Sequence, residues 1–221
     1  MKQKFYSNGK LLLTGEYVVL DGAKALGLPT KFGQDLTVED GAGKVITWQS
    51  FDHDGAAWFE DEITFTEIGT RQESATSSIK STLIEILAAA DKLNPELLET
   101  SDGYHVSTHL TFPKYWGLGT SSTLINNVAQ WFKIDPFELL RNSLGGSGYD
   151  IACAQHNTPI IYRLENGLPK VSPINFSPPF IDNLWFVYLN RKQSSKAAIA
   201  SYYLNRVEDL QEKINSIDRI T

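Results

Sequence analysis

The ten residues Lys114–Thr123, KYWGLGTSST, constrain this chain more than any other stretch. They follow an alternating segment in which Val106, Thr108, Leu110 and Phe112 share one face, the pattern of a strand that Pro113 ends. They precede Leu124, Val128, Ala129 and Phe132, spaced as on one side of a helix. A strand, a turn with two glycines and a helix must therefore pack in succession. Glycine lets backbone approach a ligand closely, and a helix start offers unpaired N–H groups and the positive end of its dipole. The hydroxyls of Thr120, Ser121, Ser122 and Thr123 crowd that same end. This chemistry suits a phosphate-binding loop, although a plain strand-to-helix turn capped by Ser or Thr would use the same residues. Neither GxxxxGK[ST] nor a full GxGxxG is present, which argues against a P-loop NTPase and a Rossmann dehydrogenase.

The rest of the chain reads as mixed α and β. Strands are expected at 5–7, 10–15 and 16–22, with a hairpin turn at Asp21-Gly22 and the unit closed by Gly27-Leu28-Pro29. Further strands are expected at 36–40, 44–51, 56–60 and 62–68, between turns such as Asp40-Gly41 and Asp54-Gly55. Ile79, Leu83, Ile86, Leu87 and Ala90 mark an amphipathic helix before Pro95. Asp135-Pro136 supplies an N-cap and a first-turn proline for a short helix over 136–142. Residues 151–164 read as a helix turning into a strand, and the run around Pro173, Pro178 and Pro179 is the best boundary, dividing the chain into 1–178 and 179–221. Beyond it, 184–190 reads as a strand. A helix capped by Ser194-Ser195 then carries Ile199, Tyr203, Val207, Leu210, Ile214 and Ile217 to the end.

Composition narrows the function classes. Twenty basic residues against 26 acidic ones leave a net charge of −6 with no basic cluster, so nucleic acid is not an expected partner. No apolar run approaches the roughly 18 residues of a membrane helix, and the start lacks a signal-peptide apolar region, so a soluble, cytoplasmic protein is expected with no membrane partner. One cysteine, Cys153, excludes an intrachain disulfide and reads as a small core residue. His53, His105, His109 and His156 lack metal or triad spacing, and the five tryptophans read as core or sheet residues, with Trp116 placed to touch a ligand.

Two further features carry chemistry. Gly145-Gly146-Ser147-Gly148-Tyr149-Asp150 presents a carboxylate on flexible backbone, able to orient or deprotonate a phosphoryl acceptor or, equally, to cap the following helix. Asn8-Gly9-Lys10 precedes LLLTGEYVVLDG, with Lys10 and Glu16 flanking an apolar segment; either charge alone could be a solvated surface group.

Taken in this order, SNGKLLLTGEYVVLDG, PKYWGLGTSSTL and GGSGYDIACA resemble the three successive segments of the GHMP kinases: the N-terminal motif, the PxxxGLGSSAA phosphate loop and the GSGxD segment of the mevalonate branch. LNRKQSSKAAIASY is similar to the family's K-x-x-S-T segment, though Lys192, Ser194, Ser195 and Lys196 also suit a polar helix cap. The resemblance implies an α+β GHMP-kinase fold, with a ribosomal-protein-like β-α domain followed by a partial ferredoxin-like domain. It places ATP phosphates on Gly117, Leu118, Gly119, Thr120, Ser121 and Ser122, with Ser121 reaching Mg²⁺. Asp150 and Lys10 would be catalytic, and Glu16, Tyr17, Ser147 and Gly148 would face the substrate. The implied activity is transfer of the γ-phosphoryl of ATP to mevalonate or phosphomevalonate. A sugar or homoserine acceptor and a non-catalytic nucleotide-binding protein are the alternatives.

The departures are specific. PGK is here Asn8-Gly9-Lys10, Ser-Ser-Ala is Thr120-Ser121-Ser122, and Gly15-Glu16-Tyr17 is closer to phosphomevalonate kinases than to the GEH of mevalonate kinases. The position of the branch's metal-binding glutamate holds Leu139, beside Glu138. The third glycine-rich motif is not found, so a shortened or truncated member is expected. An apolar stripe from Ile199 to Ile217 would then need another surface, for which a homodimer is one solution.

Overall fold

In the computed structural model, which describes residues 2–70, 78–189, 195–205 and 209–221, a seven-stranded mixed sheet carries helices on one face. The strands are β1 (Gln3–Leu12), β2 (Ala25–Asp40), β3 (Val45–Phe51), β4 (Ala57–Thr64), β5 (Tyr104–Leu110), β6 (Ile160–Glu165) and β7 (Leu168–Pro173). Their order is β4-β3-β5-β2-β6-β7, with β1 paired antiparallel along β2 and only β3 and β5 parallel. The helices are α1 (Phe65–Thr70), α2 (Ile79–Leu93), α3 (Glu96–Glu99), α4 (Thr120–Phe132), α5 (Pro136–Asn142), α6 (Tyr149–Gln155), α7 (Ser195–Leu204) and α8 (Leu210–Ile220).

Period decides most of these elements. Val106, Thr108, Leu110 and Phe112 are all buried, as alternation requires. On α2, Leu83, Ile86, Leu87 and Ala90 enter the main core with Trp48, Val128, Trp131 and Phe132, while Ile79 stays half exposed. Asp135 caps α5, its carboxylate accepting from Phe137 N at 2.7 Å and Glu138 N at 3.1 Å. Beneath α4 runs a buried polar ladder. Ser7 Oγ donates to Asn127 Oδ1 at 2.7 Å, Asn127 Nδ2 donates to Gln34 O at 2.9 Å, and Thr123 Oγ1 donates to Gln34 Oε1 at 2.8 Å. These bonds fix α4 against β1 and β2, and so fix the turn at its start.

Five expectations need correction. The segments 5–7 and 10–12 belong to one strand, β1, which ends at Leu12 short of the expected 15, and Gly27-Leu28-Pro29 lies inside the 16-residue β2 rather than closing a unit. Pro29 is tolerated because it pairs with Lys10, next to the irregularity between Asn8 and Lys10 where the ladder is already broken. Residues 16–22 form a loop and a 3₁₀ turn, Val18–Asp21, ended by Gly22 at φ 90°, because the adjacent Val18 and Val19 are both buried and no alternating strand can do that. The strand expected over 62–68 stops at Thr64, where the Glu67 carboxylate accepts from Thr64 N at 2.7 Å and starts α1. The strand expected at 184–190 is absent over the described 184–189, which run unpaired, and Trp185 is 86% exposed rather than in a core or sheet.

The terminal helix is two helices, α7 and α8, with Val207 and Ser194 outside the described residues. Part of the expected stripe is covered by the chain itself. Ile217 and Ile220 flank a groove with Leu13, Tyr17 and Val18, Asp218 accepts from Lys24 N at 2.7 Å, and Thr221 Oγ1 donates to Thr14 Oγ1 at 2.8 Å.

Candidate active site

The turn before α4 is built by close approach. Gly119 sits at φ 91°, ψ 45° and is itself the N-cap of α4, with no side-chain cap. A Cβ there would lie 2.7 Å from Ser122 Oγ and 3.1 Å from Lys10 Cγ, so glycine is what lets the Lys10 stem cross the turn. The reading of this turn as a Ser- or Thr-capped helix start is thus not what forms. Ser122 is buried and its hydroxyl donates to Gly119 O at 2.9 Å, whereas Ser121 is exposed at the helix start. The first-turn N–H groups and the dipole's positive end face the cleft without a protein cap.

Lys10 comes from β1. Its backbone N–H donates to Leu118 O at 2.9 Å, binding the strand to the turn, and Gly9 is so close to Leu118 O and Phe32 O that a Cβ would meet them at 2.9 and 3.0 Å. Its ammonium donates to the Tyr149 hydroxyl at 2.9 Å and lies 5.3 Å from that ring's centroid. Asp150 follows in the first turn of α6, whose N-cap is Gly148 at φ 86°, so Asp150 is not the capping residue. Its carboxylate accepts from Ile151 N at 3.1 Å. Burial raises the Asp150 pKa above the ordinary carboxylate value, and the nearby charge of Lys10 and the Ile151 N–H oppose that rise.

A cleft of about 450 Å³ gathers these groups. Lys10, Glu16, Tyr17, Gly117, Gly119, Thr120, Ser121, Ser122, Ser147 and Asp150 all line it. Two of the expected residues do not. The Leu118 side chain is buried with Leu110 and Phe112, leaving only its carbonyl to the turn. Gly148 packs under Phe137 and Tyr162, with a close contact a Cβ would worsen. Glu138 is exposed and does not line the cleft, and Leu139 is fully buried.

Glu16 is aimed by a strained turn. Val18 N donates to Glu16 O at 2.8 Å across Tyr17, which sits at φ 61°, ψ −42°, a rare geometry for a bulky residue. The Tyr17 ring stacks on Tyr202 of α7 at 5.7 Å, and the Tyr202 hydroxyl donates to Asp21 Oδ2 at 2.5 Å.

Several lining residues escape sequence reading. Lys114 enters the cleft with its ammonium 5.3 Å from the Trp58 ring and 5.1 Å from the Tyr115 ring. Phe186, Val187, Tyr188 and Leu189 form one wall, Tyr188 stacking on Trp116 at 5.2 Å, and Ile199 of α7 joins them. The only signal was an unusually aromatic 184–190, which reads as a strand. A second cleft of about 280 Å³ shares Thr120 and Ser121 with the first and is lined by Trp58, Phe59, Ile79, Leu83 and Leu124 among others. Of the K-x-x-S-T-like segment, Lys192 and Ser194 lie outside the described residues, and Ser195 and Lys196 begin α7.

The remaining sequence candidates are structural. His105 pairs with Thr47, His109 with Asp35, His156 with Ala152 O and His53 with Asp52. Cys153 is fully buried, and burial pushes its thiol up to about 12. No group of three or more His, Cys, Asp or Glu side chains suited to a metal occurs among the described residues. The oxygen donors that line the cleft include the Ser121 hydroxyl and the Asp150 carboxylate, the ligand type that Mg²⁺ takes. Among the described residues no helix is long and apolar enough to cross a membrane.

No family model matches the sequence, and no curated protein matches it significantly. Solved structures do match. Mevalonate kinase from Methanococcus jannaschii aligns with 100% of this chain and 71% of its own at 13% identity and a TM-score of 0.62. The L. major mevalonate kinase complexed with R-mevalonate aligns with 99% of this chain and 66% of its own at 17% identity and a TM-score of 0.57. Lactococcus lactis galactokinase, complexed with galactose, aligns over 79% of this chain and 47% of its own at 12% identity and a TM-score of 0.58. The α+β architecture that brings Lys10, the glycine turn and Asp150 to one cleft is the GHMP-kinase fold.

Proposed function

We propose that this cleft transfers the γ-phosphoryl group of ATP to a hydroxyl of a small acceptor, with mevalonate or phosphomevalonate as the leading substrates. One observation carries the reading. Three segments far apart in sequence deliver a lysine, an uncapped helix N-terminus behind two glycines and a buried carboxylate to the same 450 Å³ space. Phosphoryl transfer needs little else from a protein than positioning and charge neutralisation.

The N–H groups of Thr120 and Ser121 and the helix dipole would hold the phosphates, with glycine at 117 and 119 keeping side chains away from them. Lys10 would neutralise charge on the transferred group. Asp150 would accept the acceptor's hydroxyl proton, and its raised pKa brings it closer to the range in which a carboxylate works as a base. Ser121 would hold Mg²⁺ through its hydroxyl, and the ion would supply charge neutralisation at the phosphates. The second cleft beyond Thr120 and Ser121, lined in part by Trp58 and Phe59, would take the nucleobase. Glu16, Tyr17 and Ser147 lie where an acceptor would sit, and residues 179–221, read as the start of a second domain, would supply its outer wall through Tyr188 and Ile199.

The second reading is a sugar acceptor, favoured by the likeness to galactokinase over 79% of the chain. ADP release from Mg-ATP over mevalonate, phosphomevalonate, galactose and homoserine separates the two. Turnover on one acceptor, lost in Asp150→Asn, supports the proposal and names the substrate. Nucleotide binding with no turnover on any acceptor would instead favour a non-catalytic nucleotide-binding protein.

A further inference from the structure

Tyr149 stands one residue before Asp150 and lines the cleft. Lysine carries its charge on a flexible four-carbon stem, so a lysine that must meet a phosphoryl group within a few tenths of an ångström needs something to hold it. Among the described residues no carboxylate forms an ion pair with Lys10. What holds its ammonium is the Tyr149 hydroxyl, at 2.9 Å. The stem is confined at its other end by Gly119. A phenol accepting from Lys10 still has its own proton to give. Burial, and then the negative charges of Asp150 and Glu16, hold this phenol well above its usual pKa, so it stays protonated.

We propose that Tyr149 is the positioning residue for Lys10, fixing its ammonium over the glycine turn. The inference rests on the phosphoryl-transfer reading for its catalytic half, but the coupling of Tyr149 to Lys10 stands on the geometry alone. It also gives the tyrosine next to Asp150 a task that phenylalanine cannot perform.

Tyr149→Phe tests this cleanly, because the ring and its packing remain and only the hydroxyl goes. With circular dichroism and melting unchanged, kcat should fall by about ten- to a hundredfold, the weight of a hydrogen bond to a charged group, while KM for ATP moves little. In a Lys10→Ala background the same change should add almost nothing, since a residue acting through Lys10 has nothing left to position. Additive losses, or a Tyr149→Phe kcat within about twofold of wild type, would overturn the positioning role. A second readout needs no turnover. The rate at which an amine-reactive acetylating reagent labels Lys10, followed by mass spectrometry, should rise severalfold in Tyr149→Phe as the ammonium is released. If the wild-type protein phosphorylates no acceptor, the catalytic half fails with the phosphoryl-transfer reading. An unchanged labelling rate overturns the coupling itself.

Discussion

Replacing Gly119 by alanine separates steric necessity from mere flexibility at the phosphate turn. Gly119 and Gly117 both have positive φ, 91° and 78°, so alanine at either carries the left-handed penalty of about 1–2 kcal/mol. Only at Gly119 does the new methyl also meet neighbours. Ser122 Oγ would lie 2.7 Å away, so that hydroxyl must swing off Gly119 O, losing a hydrogen bond worth about 0.5–1.5 kcal/mol. Lys10 Cγ and Cε, at 3.1 and 3.3 Å, must also give by a few tenths of an ångström, whereas a Cβ at Gly117 meets nothing within 4 Å. Gly119→Ala should therefore cost about 1 kcal/mol more than Gly117→Ala, which for a chain of this size is about 2–4 °C in Tm by differential scanning calorimetry. The displaced lysine should show in function as well, with Gly119→Ala losing more kcat than Gly117→Ala. Equal melting temperatures, or a larger catalytic loss in Gly117→Ala, would refute the argument that Gly119 is glycine to make room for Lys10.

Three further outcomes follow from the same geometry. If Asp150 must be ionised to act, kcat/KM should rise with pH along an acid limb lying above the ordinary carboxylate range. Lys10→Ala, by removing the charge that opposes burial, should shift that limb further toward alkaline pH in whatever activity remains; a shift to lower pH would contradict the assignment. Ser7→Ala breaks the ladder beneath α4, taking the acceptor from Asn126 Nδ2 and leaving Asn127 Oδ1 with the long contact from Gln130 Nε2 at 3.4 Å, and should cost about 1–3 kcal/mol in urea unfolding. An undisturbed midpoint would mean the ladder does not hold α4. Lys114→Ala removes a cation at the cleft mouth and should weaken nucleotide binding in calorimetric titration without changing thermal stability, while Lys114→Arg should retain most of the affinity.

Much of the frame was readable from local pattern. The β5–turn–α4 passage, the Asp135 cap and the α2 core face each depend on residues only a few positions apart, and each forms as the pattern requires. The candidate site was readable in its parts, because glycines, hydroxyls and charges in short motifs keep their order. What could not be read is long-range. The partner of the Lys10 ammonium lies 139 residues away, and nothing near Lys10 names Tyr149. Residues 184–189 have strand propensity, but propensity assumes a neighbouring strand. Here they instead form a cleft wall, with Tyr188 against Trp116 while Trp185 stays in solvent. The 16–22 segment misled in the opposite way, since consecutive buried valines behind a turn at Tyr17 mimic a strand in composition but not in period.

We propose that Lys10, the Gly117–Ser122 turn and Asp150 form one phosphoryl-transfer site. A crystal structure of the complex with Mg²⁺ and a non-hydrolysable ATP analogue tests it most directly. The phosphates should lie on the backbone N–H groups at the start of α4, with the γ-phosphate within reach of Lys10 Nζ and the Asp150 carboxylate facing the space beyond it. A nucleotide bound elsewhere, or phosphates turned away from Lys10 and Asp150, would contradict it.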